Sequence, residues 1–474
     1  MNGKTQIADM TAMEMLRGFR RRDLSPVEAA KACLERIERY NPVVNAFCLV
    51  DPDTTLQAAR ESEARWHRGE PLGRVDGVPT AIKDVFMTRG WYNRKASHVI
   101  SDDPMTEDAP AIAALRREGF VPMGKVTTPE FGWKGITDSP LCGITRNPWD
   151  PDKTPGGSSG GSSAAVALGM APLSLGTDAG GSIRIPAGFT GIFGHKPTQG
   201  RCPIWPQSPF GALAHPGPMT WTVEDSALLL NLMASPDPHD TTLPPTDEDF
   251  LVGLNRGVRG LRIAYSPDYG YARVDPEVAA AVKAAVEAFE ELGAIVEEVD
   301  PGFSDPLESF NILFYGGAAN AMRDLDAEQR KQMDPGLVEV ATWAEKLSLL
   351  DYLGAQNERA ALIERMNLFH NRYDLLLNPA LPIPAFKAGQ EVPEDWHNPR
   401  WPTWTPFTYP FNMTGQPSAS VPCGFTRAGL PIGLQITGGR HQDALVLRAS
   451  HAYQSVRPLT DRRPAPATDG ASAR

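Results

Sequence analysis

The sequence has few cysteines, and they are not arranged in pairs. Its 474 residues contain Cys33, Cys48, Cys142, Cys202 and Cys423, and no two of these form a C-x-x-C motif. An odd number of widely spaced cysteines argues against a disulfide framework and against a zinc ribbon. We therefore expect a reducing compartment, in which Cys142, Cys202 and Cys423 serve as packing residues.

Clusters of basic residues and long apolar runs are also missing. Lysine and arginine number 46 against 57 aspartates and glutamates, which gives a net charge of −11, and no stretch is basic enough to follow a phosphate backbone. No run reaches the ~18 apolar residues of a membrane span, and the first residues lack the apolar core of a signal peptide. The sequence therefore predicts a cytoplasmic protein whose direct partners include neither nucleic acid nor membrane.

Helical and strand patterns alternate along the chain, which is typical of a parallel or mixed sheet covered by helices. Ser25 and Glu28 form a capping box at one helix start, with Pro26 at the first helical position. The pattern predicts an α/β fold with one large, mixed, twisted β-sheet and helices on both faces. The helices are predicted over 16–40, 55–67, 108–119 and 275–293, and the strands over 45–50, 78–86, 120–126, 259–268 and 294–300.

The region from about 301 to 412 is less regular. It contains Trp396, Trp401 and Trp404 in a stretch whose proline density argues against a long helix. Two interpretations stay open for these tryptophans: a proline-rich surface loop stapled by aromatic side chains, or a wall of an apolar substrate pocket. The final residues, 457–474, have the composition of a flexible tail.

A glycine- and serine-rich segment, "KTPGGSSGGSSAAVALGMAPLSLGTDAGGSIRIPAGF", occupies 153–189. It is not a phosphate-binding loop, because no Gly-Lys-Ser/Thr follows its glycines. Gly157, Ser159 and Gly161 satisfy G-x-S-x-G, but the apolar strand that a nucleophile elbow requires does not precede them. The flanking residues are too apolar for a flexible linker. We therefore expect a packed loop that requires glycine.

Two glycine clusters in this segment, "GGSSGG" and "DAGGS", can expose backbone N–H groups that bind an anion or a developing oxyanion. A serine held there can be a nucleophile if a base is available. Lys83 follows the apolar run 80–82, and removal from water would make this lysine a base. The alternative is that Lys83 is a solvated charge paired with its neighbour Asp84.

Four segments resemble the amidase signature enzymes. They are "GVPTAIKD", "TRNPWDPDKTPGGSSGGSSAAVALGM", "LSLGTDAGGSIRIPAGFTGIFGHKPT" and "NMTGQPSASVPCGFTRAGLPIGLQITG". The resemblance extends from about residue 11 to 453. It implies the amidase signature fold as a single domain over 1–456, with N-terminal helices at about 1–70 and a variable, substrate-side region at about 300–410.

The resemblance also implies a Ser-cisSer-Lys triad, in which Lys83 is the base, Ser158 the serine after a cis peptide, and Ser182 the nucleophile. Ser158 and Ser182 are 24 residues apart, which agrees with the family. It implies no cofactor and no metal, and only a structural role for His195. The implied oxyanion hole consists of the backbone N–H groups of Ala179, Gly180, Gly181 and Ser182, supported by Ser159, Asp178 and Arg184.

The function implied is hydrolysis of a linear amide through an acyl-enzyme on Ser182. We expect a small, uncharged, apolar or aryl-bearing amide, with carbamates or esters as further substrates, and a homodimer. The pocket is expected to include Trp133, Ile136, Thr137, Asp138, Trp401 and Trp404.

Two alternatives are weighed against this function. One is the glutaminase (A) subunit of a tRNA-dependent amidotransferase. Those subunits usually carry a Met-Gly-Ser stretch ending in Glu-Asn-Ser, where this chain has "GWKGITDSP" at 132–140. The other is a non-catalytic binding protein on the same scaffold, which the intact Lys83, Ser158 and Ser182 disfavour.

Overall fold

Helices and strands alternate along the chain, as the sequence pattern predicts. The computed structural model describes residues 6–239, 248–459 and 462–467. The α-helices of this described part, numbered in chain order, are α1 Ala12–Arg21, α2 Pro26–Val44, α3 Pro52–Arg68, α4 Pro110–Arg117, α5 Gly160–Ala167, α6 Arg184–Thr190, α7 Val223–Met233, α8 Pro276–Glu291, α9 Leu307–Met322, α10 Ala327–Arg330, α11 Pro335–Ala344, α12 Leu349–Phe369, α13 Pro410–Thr414 and α14 Asp443–Val456.

The strands form one large sheet and one small hairpin. In chain order they are β1 Phe47–Leu49, β2 Pro79–Lys83, β3 Val121–Val126, β4 Asp138–Ser139, β5 Gly143–Ile144, β6 Leu173–Asp178, β7 Phe193–Lys196, β8 His215–Thr220, β9 Arg262–Tyr265, β10 Ile295–Glu298, β11 Leu375–Pro379, β12 Ser418–Phe425 and β13 Pro431–Gly438. Eleven of these described strands form the large sheet, in the order β1-β3-β2-β6-β8-β7-β12-β13-β11-β9-β10, and β4 pairs with β5.

The large sheet is mixed, as predicted. Strand β2 lies between β3 and β6 and is parallel to both. In the series β6-β8-β7-β12-β13-β11 each strand is antiparallel to the next, and β9 is parallel to β11 and to β10. Every residue of β2 and β3 is buried, which explains why these strands are apolar without polar alternation.

Helices cover both faces of the sheet. Alternate side chains of β2 point to opposite faces: Ala81 packs with α2, α3 and α5, whereas Ile82 packs with α1, α4 and α7. Strand β11 repeats this division at the other half of the sheet, where Leu375 and Leu377 join the second of these cores. Leu376 faces a third core, built from aromatic residues of α9, α13 and their neighbouring loops.

The prediction of one helix over 16–40 is wrong in one respect. The chain forms two helices, because Arg22 adopts a left-handed conformation (φ 64°) and ends α1. The predicted capping box is confirmed: the Ser25 hydroxyl accepts a hydrogen bond from the Glu28 backbone N–H at 3.1 Å, and Glu28 accepts one from the Ser25 N–H at 2.8 Å. Because an N-cap lies at the start of a helix, the identification of Ser25 as an N-cap already implied that one helix ends before it and a second begins after it.

The region 301–412 is more regular than the sequence indicates. It contains α9, α11 and the long helix α12, whose residues are Leu349–Phe369. Only the proline-rich part after 379 lacks long helices, as its composition predicts. Within the described residues, no helix of the fold is long and apolar enough to cross a membrane.

Part of the expected C-terminal tail packs on the body of the protein. The guanidinium of Arg463 donates hydrogen bonds to the carbonyl of Val166 at 3.0 Å and to that of Asp9 at 3.3 Å. It also stacks 4.1 Å from the ring centroid of Trp221. Arg463 is therefore anchored, and the expectation of a flexible tail from 457 onward stays a prediction.

Candidate active site

Lys83 ends strand β2 inside the protein. The apolar residues of β2 are paired on both sides, so the strand carries its last side chain into the interior, where Lys83 is fully buried. Its ammonium donates hydrogen bonds to Ser158 Oγ at 2.7 Å, Ser159 Oγ at 2.9 Å and Thr177 Oγ1 at 2.9 Å. Burial lowers the pKa of Lys83 to about 7, against the opposing influence of the Asp178 carboxylate.

The alternative of a solvated Lys83 paired with Asp84 is not what the structure contains. Asp84 is buried on the far side of the strand end, and its carboxylate lies 3.7 Å from the ammonium of Lys125. It also accepts a hydrogen bond from the backbone N–H of Ala96 at 3.1 Å. The two neighbouring side chains therefore belong to separate polar clusters.

The glycine-serine loop crosses next to Lys83. The peptide bond between Gly157 and Ser158 is cis. A side chain at Gly157 would bring its Cβ within 2.3 Å of the carbonyl oxygen of Ile136, so only glycine fits there. The Ser159 N–H donates to the carbonyl of Ser182 at 3.1 Å, which joins this loop to the next one.

Ser182 lies in the loop between β6 and α6, the second glycine cluster of the sequence. Its side chain is almost buried, and among the described residues its hydroxyl makes no hydrogen bond, so the relay from Ser158 stays a prediction. Gly181 has φ 132°, a conformation that favours glycine, and its N–H donates to Asp178 Oδ1 at 2.7 Å. That N–H is therefore already engaged, which leaves Ala179, Gly180 and Ser182 as the predicted oxyanion donors.

A buried ion pair supports the Ser182 loop. Arg184 Nε and Nη2 each donate to the Asp178 carboxylate at 3.0 Å, and both side chains are fully buried. Arg184 also donates to Gln435 at 2.9 Å and to Asn412 at 2.7 Å. Burial alone would raise the pKa of Asp178, but the Arg184 guanidinium holds it well below its ordinary value. The loop is thereby fixed to the C-terminal strands.

A cavity of about 170 Å³ lies beside these residues. Ser158, Thr177, Ala179 and Ser182 line one part of it. The rest of the wall is mostly apolar and is formed by 85–87, 109–111, Phe131, 203–210 and 214–216, with Asn93 and Lys95 as polar neighbours. No aspartate or glutamate is among its lining residues, all of which belong to the described part of the chain.

The residues predicted to form the pocket are not in that wall. Trp133, Trp401 and Trp404 are fully buried in the aromatic core, where Trp404 stacks on Phe189 with ring centroids 5.8 Å apart. Trp133, Trp401 and Trp404 are therefore core residues that do not line this cavity. Trp401 packs against the Ser182 loop, because a Cβ on Gly180 would lie only 2.7 Å from it.

The other predicted pocket residues, Ile136, Thr137 and Asp138, are likewise absent from the lining of this cavity. Thr137 Oγ1 donates to the carbonyl of Gly156 at 2.8 Å and accepts from the N–H of Gly160 at 3.1 Å, so it holds the glycine-serine loop. Asp138 forms an ion pair with Lys134.

Several residues of the site were missed by the sequence analysis. Thr177 directly precedes Asp178 in a signature segment, and its position at the end of β6 is the signal that could have identified it. The cavity wall from 203 to 210 includes Trp205 and Phe210 among prolines, a composition that resembles the tryptophan-rich stretch near 400. His195, expected to be structural, lies buried 3.2 Å from Asp443 and away from the cavity lining.

The sequence and fold are similar to those of known amide hydrolases. The family model named Amidase matches residues 28–447. An acylamidase of Rhodococcus erythropolis is 39% identical over 475 residues, covering 96% of this chain and 97% of that protein. The solved structure of a bacterial aryl acylamidase of the amidase signature family superposes with a TM-score of 0.91 at 31% identity, over 96% of this chain and 98% of that one.

Amidotransferase subunits are nearly as similar. The glutamyl-tRNA(Gln) amidotransferase A-type subunit of Myxococcus xanthus strain DK1622 is 37% identical over 481 residues, covering 95% of this chain and 97% of that protein. The fold and these relatives define a hydrolase that acts on carbon–nitrogen bonds, an amidase. The chain belongs to the amidase signature family, which confirms the resemblance seen in its sequence.

Replacing Asp178 with alanine should destabilise the protein by ~3–5 kcal/mol, because it leaves the buried guanidinium of Arg184 without its carboxylate. Urea unfolding followed by tryptophan fluorescence measures the loss. Asp152→Ala, at an exposed aspartate, is the matched control and should change stability by less than about 0.5 kcal/mol. Equal stability of the two variants would contradict a supporting role for this ion pair.

Proposed function

We propose that this enzyme hydrolyses small amides with an apolar or aryl group through an acyl-enzyme on Ser182. The observation that carries the proposal is the joining of two features in one cavity: the Lys83–Ser158 hydrogen bond at 2.7 Å, and a mostly apolar wall that begins at Ser182. The similarity to an acylamidase and to an aryl acylamidase agrees with this substrate class.

The proposed reaction starts with neutral Lys83 as base. Ser182 Oγ attacks the amide carbonyl carbon while its proton passes to Ser158 and the Ser158 proton passes to Lys83. Backbone N–H groups of the Ser182 loop stabilise the oxyanion. The C–N bond then breaks, and the amine leaves with the proton returned through Ser158. Water hydrolyses the acyl ester by the same relay and regenerates Ser182.

The size of the cavity supports an aryl or short alkyl group. An engineered apolar cavity of roughly 150 Å³ accommodates benzene, so about 170 Å³ is sufficient for one ring. The wall supplies apolar and aromatic contacts from Phe86, Phe131 and Phe210. Aryl carbamates and esters present the same carbonyl to the site, which makes them further candidate substrates.

The glutaminase function of an amidotransferase is the second candidate, since the Myxococcus xanthus protein is 37% identical. Glutamine carries an α-ammonium group, and a carboxylate in the lining would stabilise that cation. No acidic side chain is found in the described lining, and the segment 132–140 departs from the pattern of those glutaminase subunits. These two features favour the stand-alone amidase.

A substrate panel tests this choice. We expect kcat/KM to rank p-nitroanilides and aryl carbamates above aliphatic amides, with glutamine last, because an aryl group contacts more of the apolar wall than a short alkyl group does. The purified chain, free of any other protein, should show this order. Glutamine in first place by a wide margin would contradict the proposal and support the amidotransferase function.

Variants of the proposed triad should act as one unit. Ser182→Ala should abolish turnover, while Ser158→Ala and Lys83→Ala should each lower kcat by several orders of magnitude. In the double variant of Ser158 and Lys83, these two losses of kcat should not add. Ser304→Ala, at an exposed serine, is the control and should retain full activity. A fluorophosphonate probe should label the peptide that contains Ser182. Full activity in any triad variant would remove that residue from the mechanism, and an unlabelled protein would favour a non-catalytic function.

The pH dependence should report the titration of Lys83. Its pKa is lowered to about 7, and a lysine base is active only when neutral. We therefore expect kcat/KM to rise about tenfold per pH unit below pH 7 and to level off above it. Initial rates between pH 5 and 9, with folding checked by circular dichroism, measure the profile. A profile that is flat or falls across this range would exclude Lys83 as the base.

A further inference from the structure

The wall of the cavity contains one full charge that the proposed reaction does not use. Lys95 is the charged side chain in the described lining, where apolar side chains predominate. His215 also lines the cavity, but its pKa is lowered well below the ordinary value by burial, and its Nδ1 lies 2.7 Å from the carbonyl oxygen of Leu213. This histidine is therefore neutral, and Lys95 is the cation.

The backbone around Lys95 is held in an unusual conformation. Lys95 (φ 52°) and Ala96 (φ 55°) are both left-handed, a region that side chains other than glycine rarely adopt and that two successive residues adopt at a cost. Fixed contacts maintain this turn: Ala96 N–H donates to the buried Asp84 carboxylate at 3.1 Å, and Phe131 N–H donates to the Lys95 carbonyl at 2.9 Å. The turn directs Lys95 to the cavity.

Among the described residues, no side-chain hydrogen bond or ion pair reaches the ammonium of Lys95. The acidic group that interacts with it electrostatically is Asp84, which is also the partner of Lys125. Lys95 is half-buried, and this burial lowers its pKa by removing part of the water that stabilises the charge. An anion bound in the cavity would compensate the charge.

We propose that Lys95 is a specificity-determining residue that binds a carboxylate on the substrate, so that the enzyme prefers amides whose aryl or acyl part carries one negative charge. This proposal rests on the proposed amidase function and narrows its substrate class. It differs from the expectation of an uncharged substrate, and the test below decides between the two. The wall offers one cation and no described acidic side chain, which suits a monoanion and not a zwitterion.

The test compares matched substrates within each variant. The ring pair is 4-acetamidobenzoate with 4-methylacetanilide, and the acyl pair is succinanilate with butyranilide. For each pair, the ratio of kcat/KM for the anionic member to that for the neutral member cancels effects on folding and on the shared reaction. Lys95→Met should lower this ratio about tenfold to a hundredfold for the pair whose carboxylate reaches Lys95, as expected for a lost charge-assisted hydrogen bond.

Two further variants control the measurement. Lys95→Arg keeps the charge and should retain most of the ratio. Lys283→Met, which removes an exposed lysine from α8, should leave both ratios unchanged. The neutral anilides could be hydrolysed while Lys95→Met leaves both kcat/KM ratios unchanged. This result would overturn the role of Lys95 and leave the amidase function intact.

Binding without turnover separates the two proposals. In the Ser182→Ala background, calorimetry should show 4-acetamidobenzoate binding more tightly than 4-methylacetanilide, and Lys95→Met should remove that advantage. If no anilide is hydrolysed but this binding difference is found, the proposed aryl-amidase function fails and the carboxylate site stands. If 4-acetamidobenzoate bound equally well to Ser182→Ala and to the double variant Ser182→Ala with Lys95→Met, the proposed carboxylate site would be overturned.

Discussion

Burial of the Lys83 ammonium is the constraint around which the site is organised. Lys83 ends a buried strand and is itself fully buried, so its charge is stabilised by protein groups and not by water. Three hydroxyls do so, from Ser158, Ser159 and Thr177. They belong to the glycine-serine loop and to the end of β6, so the hydrogen bonds of one side chain bring two separate segments together.

The residues that support the Ser182 loop are also held together by electrostatic interactions. Asp178 and Arg184 flank the Ser182 loop and satisfy each other in the interior, and Arg184 continues to Asn412 and Gln435. A buried guanidinium has five donors to satisfy, which one carboxylate cannot do alone. This requirement explains why polar residues of α13 and β13, more than 200 residues away in sequence, form part of the same site.

The apolar part of the cavity wall comes from other segments. It comes from the segments after β2 and β3, from the start of α4, from the proline-rich stretch before β8 and from the start of β8, and none of these contains the proposed base or nucleophile. Lys83, Ser158 and Ser182 therefore lie on segments other than those that supply the apolar wall and Lys95.

Local signals determined much of this protein from sequence alone. These signals depend on residues that are neighbours in the chain, so a short motif is enough to reveal them. They include the Ser25 capping box, the apolar strand ending at Lys83, the mixed sheet and the segments that carry Ser158 and Ser182. The tertiary structure alone decided which aromatic residues face the cavity. Trp401 and Trp404 have the composition of a pocket wall, yet they are core residues, whereas Phe86, Phe131 and Phe210 line the cavity. Exposure of a side chain depends on what packs against it from distant segments, and no local pattern contains that information.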